Sequence, residues 1–206
     1  MTATSALVIG GSLAGMCAAR ALSDFVDKVT VIERDAYPSA PEFRSGVPQA
    51  RHVHNLLARG LREFESFFPG FEARMLERGA VSVESGWDTA TLWPHGWARR
   101  THSGLLQLYA SRPLIESTVL EFSRRLPNVT FLERTEVTAL QAAGGTQRYC
   151  TGVEVRTRDD GQTRSLRPSR VHHLAVQSQT QRPTHSRSML LRTVQGDGCI
   201  LGGTGS

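Results

Sequence analysis

The chain has 206 residues, 39% of them hydrophobic, enough to bury a core without disulfides or metals. Its net charge of +5 invites a nucleic-acid or anionic-membrane reading, but residues 1–160 are balanced and the excess lies in 161–206, where six arginines face only Asp197 and no aromatic side chain offers a stacking platform. Nucleic-acid binding is therefore not expected, and neither is stable membrane insertion, because no run approaches the roughly 18 consecutive apolar residues of a span.

The start MTATSALVIGG has no basic segment ahead of its short apolar run, so the expected localisation is cytoplasmic. Cys17, Cys150 and Cys199 are odd in number and far apart, which fits free thiols in a reducing compartment.

Residues 6–9 (ALVI) form a continuous apolar run ending at Gly10 and Gly11, the pattern of a buried parallel strand entering a tight turn. Residues 13–22 (LAGMCAARAL) predict a helix with Leu13, Met16, Cys17 and Ala21 on its inner face. Residues 29–32 (VTVI) predict a second strand, followed by Glu33, Arg34 and Asp35. Strand, helix and strand within about 30 residues make the right-handed βαβ unit.

Residues 37–49 hold three prolines and Gly46 and predict a loop. A helix is expected from Arg51 to Phe68 with Val53, Leu56, Leu57, Leu61 and Phe64 as its stripe, stopped by Pro69 and Gly70, and a short one over 72–77. Residues 80–109 alternate and are rich in turns, predicting an inserted antiparallel sheet packed by Trp87, Trp93 and Trp97. A helix over 111–126 starts with Ser111 as cap and Pro113 in its first turn. Strands are expected at 129–132, 137–140 and 152–157, the last ending at the turn Asp159-Asp160-Gly161.

Residues 162–195 lack acids and have little periodicity, with 171–176 the one strand candidate. Lys28 is the only lysine, and a GC-rich coding sequence read out of frame tends to give such an Arg-, Ser-, Gln- and His-rich stretch. A truncated, frameshifted or internally deleted reading frame and a natural disordered tail both stay open. The domain expectation is a nucleotide-binding domain over 1–161, including a partial substrate-domain sheet at about 80–110, and a basic tail over 162–206.

The chemistry is concentrated in Gly10-Gly11-Ser12-Leu13-Ala14-Gly15. It matches G-x-G-x-x-G at the first and last glycines and has Ser12 in the middle position. Gly10 allows the turn, Gly15 allows close helix packing, and the helix N-terminus offers amide donors and a positive dipole end to a pyrophosphate. Glu33 follows Gly15 by 18 residues, near the ~20 expected of the acid that accepts both ribose hydroxyls of an adenosine. Its charge would repel a 2′-phosphate, which disfavours NADP at this position.

Ser12 also stands in G-x-S-x-A, but a hydrolase elbow needs preceding strands and a glycine at position 14. His52 and His54, two residues apart, do not share a helix face, so no metal site is expected, and no catalytic residue is named.

With VIGGSLAGMCAARAL followed by VTVIERD, the chain resembles the FAD-dependent monooxygenases of the aromatic-hydroxylase and epoxidase type, with their related flavin reductases and halogenases. The resemblance extends to RSGVPQARHVHNLLARG, where Arg51 matches an arginine that approaches the flavin, and to SRPLIESTVL, where Arg112 matches one near the FAD phosphates or ribityl chain. Val137, in ERTEVTAL, matches the position whose backbone meets the adenine.

The resemblance covers about 5–161 and implies an α/β, Rossmann-like FAD/NAD(P)-binding fold with a parallel sheet and an inserted antiparallel segment, incomplete relative to a family member about twice as long. It further implies FAD as cofactor, NAD(P)H as transient reductant and an apolar or aromatic small-molecule substrate. Two later family motifs, an Asp-Gly and a Gly-Asp pair, are not where expected: Asp160-Gly161 precedes its strand, and Gly196-Asp197-Gly198 has too little chain after it. Residues 188–205 resemble a substrate-domain strand pair, which fits an internal deletion. The expected function is a flavin monooxygenase-type oxidoreductase of doubtful activity, with a noncatalytic nucleotide-binding fragment or a reductase- or halogenase-like protein as alternatives.

Overall fold

The computed structural model describes residues 3–44, 48–52, 54–143, 149–168 and 171–176. They fall into two compact units, one drawn from the described residues up to Tyr37 and from Ser123 onward, the other from those of Pro38–Phe122.

The first unit is built on strands β1 (Ser5–Ile9) and β2 (Lys28–Ile32), joined by helix α1 (Leu13–Ser23) as the βαβ pattern predicts. With β8 (Val129–Leu132) and β12 (Val171–Val176) they form a parallel sheet in the order β12-β1-β2-β8. The register is unbroken from Ser5 beside Lys28 to Ile9 beside Ile32. The strand candidate at 171–176 thus forms, alongside β1. Strands β9 (Thr135–Ala143), β10 (Tyr149–Thr157) and β11 (Thr163–Leu166) make an antiparallel sheet in which β9 is an edge. Both β11 and β12 lie within the stretch set apart above as a basic tail; its residues 177–206, with Cys199 and Gly196-Asp197-Gly198, are outside the described residues.

Period-two alternation explains the layering, since successive strand residues face opposite sides. Ala6, Val8, Val29 and Val31 face α1 and bury Ala19 and Val26, with Phe131 at the margin. Leu7 and Ile32 face the other way and pack against Cys150, Val153 and Val155, with Val137 and Leu140 beside them. The parallel sheet is covered on both faces, as its near-continuous apolar strands require. The inner face of α1 is Gly15, Met16 and Ala19 rather than the expected Leu13, Met16, Cys17 and Ala21. Gly15 lets the first turn of α1 approach the end of β1 closely. Burial pushes the Cys17 thiol up to about 11, so it is uncharged at neutral pH.

The second unit holds α2 (Ala58–Phe67), α3 (Phe71–Glu77), α4 (Arg112–Arg124, whose last two residues belong to the first unit), and short strands β3 (Asn55–Leu56), β4 (Val81–Glu84), β5 (Leu92–Trp93), β6 (Gly96–Trp97) and β7 (Leu106–Tyr109). The inserted antiparallel sheet is present, as β3-β7-β4 with a separate β5-β6 hairpin. Leu61, Phe68, Phe71, Met75, Leu108, Ile115 and Val119 are among the buried apolar residues of this unit, and Phe64 stacks on Phe71 at 5.1 Å.

Two expectations are corrected here. The helix expected from Arg51 starts at Ala58, because Asn55 and Leu56 pair with Tyr109 and Leu108 instead, and Arg51 ends a 3₁₀ turn; Val53 lies outside the described residues. The three tryptophans do not pack a core: Trp87, Trp93 and Trp97 are 43%, 60% and 69% exposed. Trp93 and Trp97 sit on a hairpin only two strands wide, and Trp87 stacks on His102 at 3.8 Å.

Ser111 caps α4 as expected: its carbonyl accepts from Ile115 N–H at 3.1 Å and its hydroxyl from Leu114 N–H at 3.3 Å. Ser111→Ala should therefore lower stability by about 1 kcal/mol, read as a shifted urea midpoint with unchanged slope.

Candidate functional site

The glycine-rich turn lies between β1 and α1, inside the first unit. Gly10 has φ 91°, a left-handed backbone that a side chain would strain, and its N–H donates to Ile32 O at 2.8 Å. The turn is thereby tied to the end of β2, one residue before Glu33. Ser12 is the N-cap of α1, with extended backbone, and its carbonyl accepts from Met16 N–H at 2.9 Å. Leu13 and Ala14 open the helix, and no acid stands in its first turn to compete for an anion. At Gly15 an added Cβ would lie 1.8 Å from Gly10 O, so the helix touches the turn backbone to backbone.

Glu33 is 7% exposed and its carboxylate reaches back to the turn. Its Oε2 accepts from Gly11 N–H at 2.7 Å and its Oε1 from Asp35 N–H at 3.0 Å. A carboxylate has about four acceptor positions, so an acid at this place can serve backbone amides and hydroxyl donors alike. The sequence placed this acid from spacing; the structure adds that it also orders the turn.

Sequence reasoning missed Tyr37, which it left in a loop. The Tyr37 hydroxyl donates to Gly11 O at 2.6 Å, and a Cβ on Gly11 would fall 1.9 Å from that oxygen. The ring meets Phe131 edge-on, the Tyr37 N–H donates to Glu133 Oε2 at 2.9 Å, and the Arg124 guanidinium, 5.5 Å above the ring, pairs with Glu133 at 2.5 Å. An aromatic residue four positions after the acid does not disclose a main-chain partner, so the sequence carried no usable signal for it.

Arg34 is exposed and pairs with Asp35 at 3.4 Å. It borders an open cavity of about 320 Å³, together with Asp35, Ala36, Arg134 and Arg158. Asp35 also pairs with Arg158 at 3.2 Å, and Arg134 pairs with Asp159 at 2.5 Å, so two acids offset the three arginines there. Val137 stands on the edge strand β9, paired with Val155 of β10, with its side chain packed against the cluster of Leu7, Ile32 and Val153.

The first unit thus brings together Gly10, Gly11, Ser12, Leu13, Ala14, Gly15 and Glu33. Arg51 and Arg112 belong to the second unit. Arg51 is exposed, 5.3 Å over the Phe43 ring. Arg112 opens α4 with its Nε 3.7 Å from Glu116, a buried carboxylate that also pairs with Arg44. Among the described residues no group of three His, Cys, Asp or Glu could hold a metal ion, and no helix is long and apolar enough to cross a membrane.

No family model matches the chain. It is similar to protein Rv3254 of Mycobacterium tuberculosis, 41% identical over 163 residues that make up 77% of this chain and 34% of that protein. Among solved structures it is similar to pqsL, a probable FAD-dependent monooxygenase from Pseudomonas aeruginosa, with 19% identity, 82% of this chain and 41% of that one covered, and a TM-score of 0.56. It is likewise similar to p-nitrophenol 4-monooxygenase PnpA from Pseudomonas putida DLL-E4, with 19% identity, coverage of 82% and 40%, and a TM-score of 0.57. The chain spans about a third of the length of its curated relative and about two fifths of these structures. Its fold is the Rossmann-like α/β fold of FAD-dependent monooxygenases, matching part of their length.

Proposed function

We propose that this chain binds FAD and is a flavin-dependent oxidoreductase of the monooxygenase type, acting on a small apolar or aromatic molecule with NAD(P)H as transient reductant. The observation that carries the reading is the joint placement of the Gly10–Gly15 turn, the start of α1 and the buried Glu33 carboxylate on Gly11 N–H. The residues fit the ADP half of a dinucleotide. Gly11 and Gly15 have no room for a Cβ, so the backbone itself forms the cradle, and an acid at the end of the second strand is the residue type that accepts from a ribose.

The roles follow from the chemistry of each group. The amides opening α1 take the diphosphate, and the helix dipole favours its charge. Glu33 accepts from the ribose hydroxyls, and the Val137 backbone borders the adenine. Arg51 and Arg112 are assigned as further cofactor contacts on the resemblance, and Arg34 as one from its place next to Glu33; a guanidinium is suited to bidentate phosphate binding. The flavin, when bound, supplies the hydride and oxygen chemistry, and the protein's part is to hold and orient it.

Titration of the purified chain with FAD, followed by flavin fluorescence and calorimetry, is expected to show saturable binding that ADP displaces. Oxygen consumption driven by NADH or NADPH then tests the oxidoreductase part separately. A chain that takes up neither FAD nor ADP overturns the reading at its base.

A further inference from the structure

We infer that Tyr37 is a positioning residue of the dinucleotide site, whose hydroxyl fixes the peptide between Gly11 and Ser12 and so aims the Ser12 N–H that meets the ligand's diphosphate. The inference rests on the reading of the turn as a diphosphate site and adds a residue to it.

In a trans peptide the C=O and the following N–H point in opposite directions within one plane. The Gly11 carbonyl accepts from the Tyr37 hydroxyl at 2.6 Å, which sets that plane and turns the Ser12 N–H away from the tyrosine. The preceding peptide is set separately, by Gly11 N–H on Glu33 Oε2 at 2.7 Å. Both peptides flanking Gly11 are thus held from outside the turn, one by a carboxylate and one by a phenol.

Glycine is conformationally permissive, so a turn rich in it loses entropy when a ligand orders it unless other groups have already done so. Tyr37 is half-buried and is itself held by three residues of the first unit. Phe131 meets its edge at 5.8 Å, Arg124 covers its face, and Glu133 accepts its N–H. The hydroxyl therefore occupies a fixed point, close enough to Gly11 that a Cβ there would lie 1.9 Å from it and 3.0 Å from the ring carbon that bears it. The residue acts on the ligand only through the turn, so its removal should be felt by the phosphates and not by the adenosine.

The test uses the full chain with ADP, adenosine and FAD as probes. Tyr37→Phe keeps the ring and its packing and removes only the donor. It is expected to weaken ADP and FAD about 3- to 10-fold, the worth of one net hydrogen bond, with adenosine unchanged. Gly11→Ala should lose more ADP affinity than that, and recover part of it in the Tyr37→Phe background, where the oxygen that collides with the new methyl is gone. An ADP-to-adenosine affinity ratio unchanged by Tyr37→Phe, or a fall in both ligands alike, overturns the inference while leaving the diphosphate reading in place. A wild-type chain that binds neither ADP nor FAD overturns that reading and this inference with it.

Discussion

Glu33→Ala is expected to weaken ADP and FAD binding by about 10- to 150-fold, the worth of one hydrogen bond to a charged group. The substitution removes two things together. The ribose loses its acceptor, and Gly11 N–H and Asp35 N–H lose theirs, at 2.7 and 3.0 Å. The second loss concerns folding as well as binding, because an amide left without an acceptor in a buried place costs about 1–3 kcal/mol. Glu33→Gln separates the two. Its amide oxygen can still accept from one of these N–H groups while the charge is gone, so most of the stability should return and less of the nucleotide affinity. Calorimetric titration with ADP, beside urea unfolding of each variant, reads both quantities. Equal ADP affinity in wild type and Glu33→Ala would falsify the ribose role of this acid.

What was legible in the sequence was what backbone geometry dictates at short range. Gly10 and Gly15 could be read because a left-handed residue and a backbone-to-backbone contact each exclude side chains, and Glu33 because a strand of known length carries it back to the turn. The layering of the first unit was legible for a related reason: apolar runs at 6–9 and 29–32 imply a sheet covered on both faces.

Elsewhere periodicity misled. Leu56 fits a helical stripe as well as it fits a strand, and its pairing with Leu108, 52 positions along the chain, decided the matter. The tryptophans were assigned to packing on their size, but neither β5 nor β6 has a third strand to widen the surface they stand on. Composition marked 162–206 as unlike the rest of the chain, yet the valines and leucine of 171–176 suffice for a strand once β1 offers an edge. Tyr37 was beyond reach for a different reason. Its partner is a main-chain carbonyl, and no residue type announces that.

Gly15→Val is the substitution expected to harm the fold most. A Cβ at this position meets the Gly10 carbonyl oxygen at 1.8 Å and its carbon at 2.9 Å, and both atoms belong to the backbone, so no rotamer change relieves the collision. Relief requires α1 to move off the strand. That motion opens the layer formed by Val8, Ala19, Val29 and Val31, all of them fully buried. Overpacking in a core costs about 1–3 kcal/mol where side chains can yield, and here the upper end or more is expected, since the γ-methyls of valine also crowd Val8 Cγ1, which is 3.5 Å from the Cβ position. Domains of this size are stable by about 5–15 kcal/mol, so the variant should unfold at a markedly lower urea concentration. The same displacement moves the amides that open α1, and ADP binding should fall even at temperatures where the variant remains folded. Gly15→Ala, with the same Cβ and no γ-methyls, should lie between wild type and valine in both measurements. A valine variant with wild-type unfolding midpoint and wild-type ADP affinity would mean that helix and turn do not touch as the structure places them.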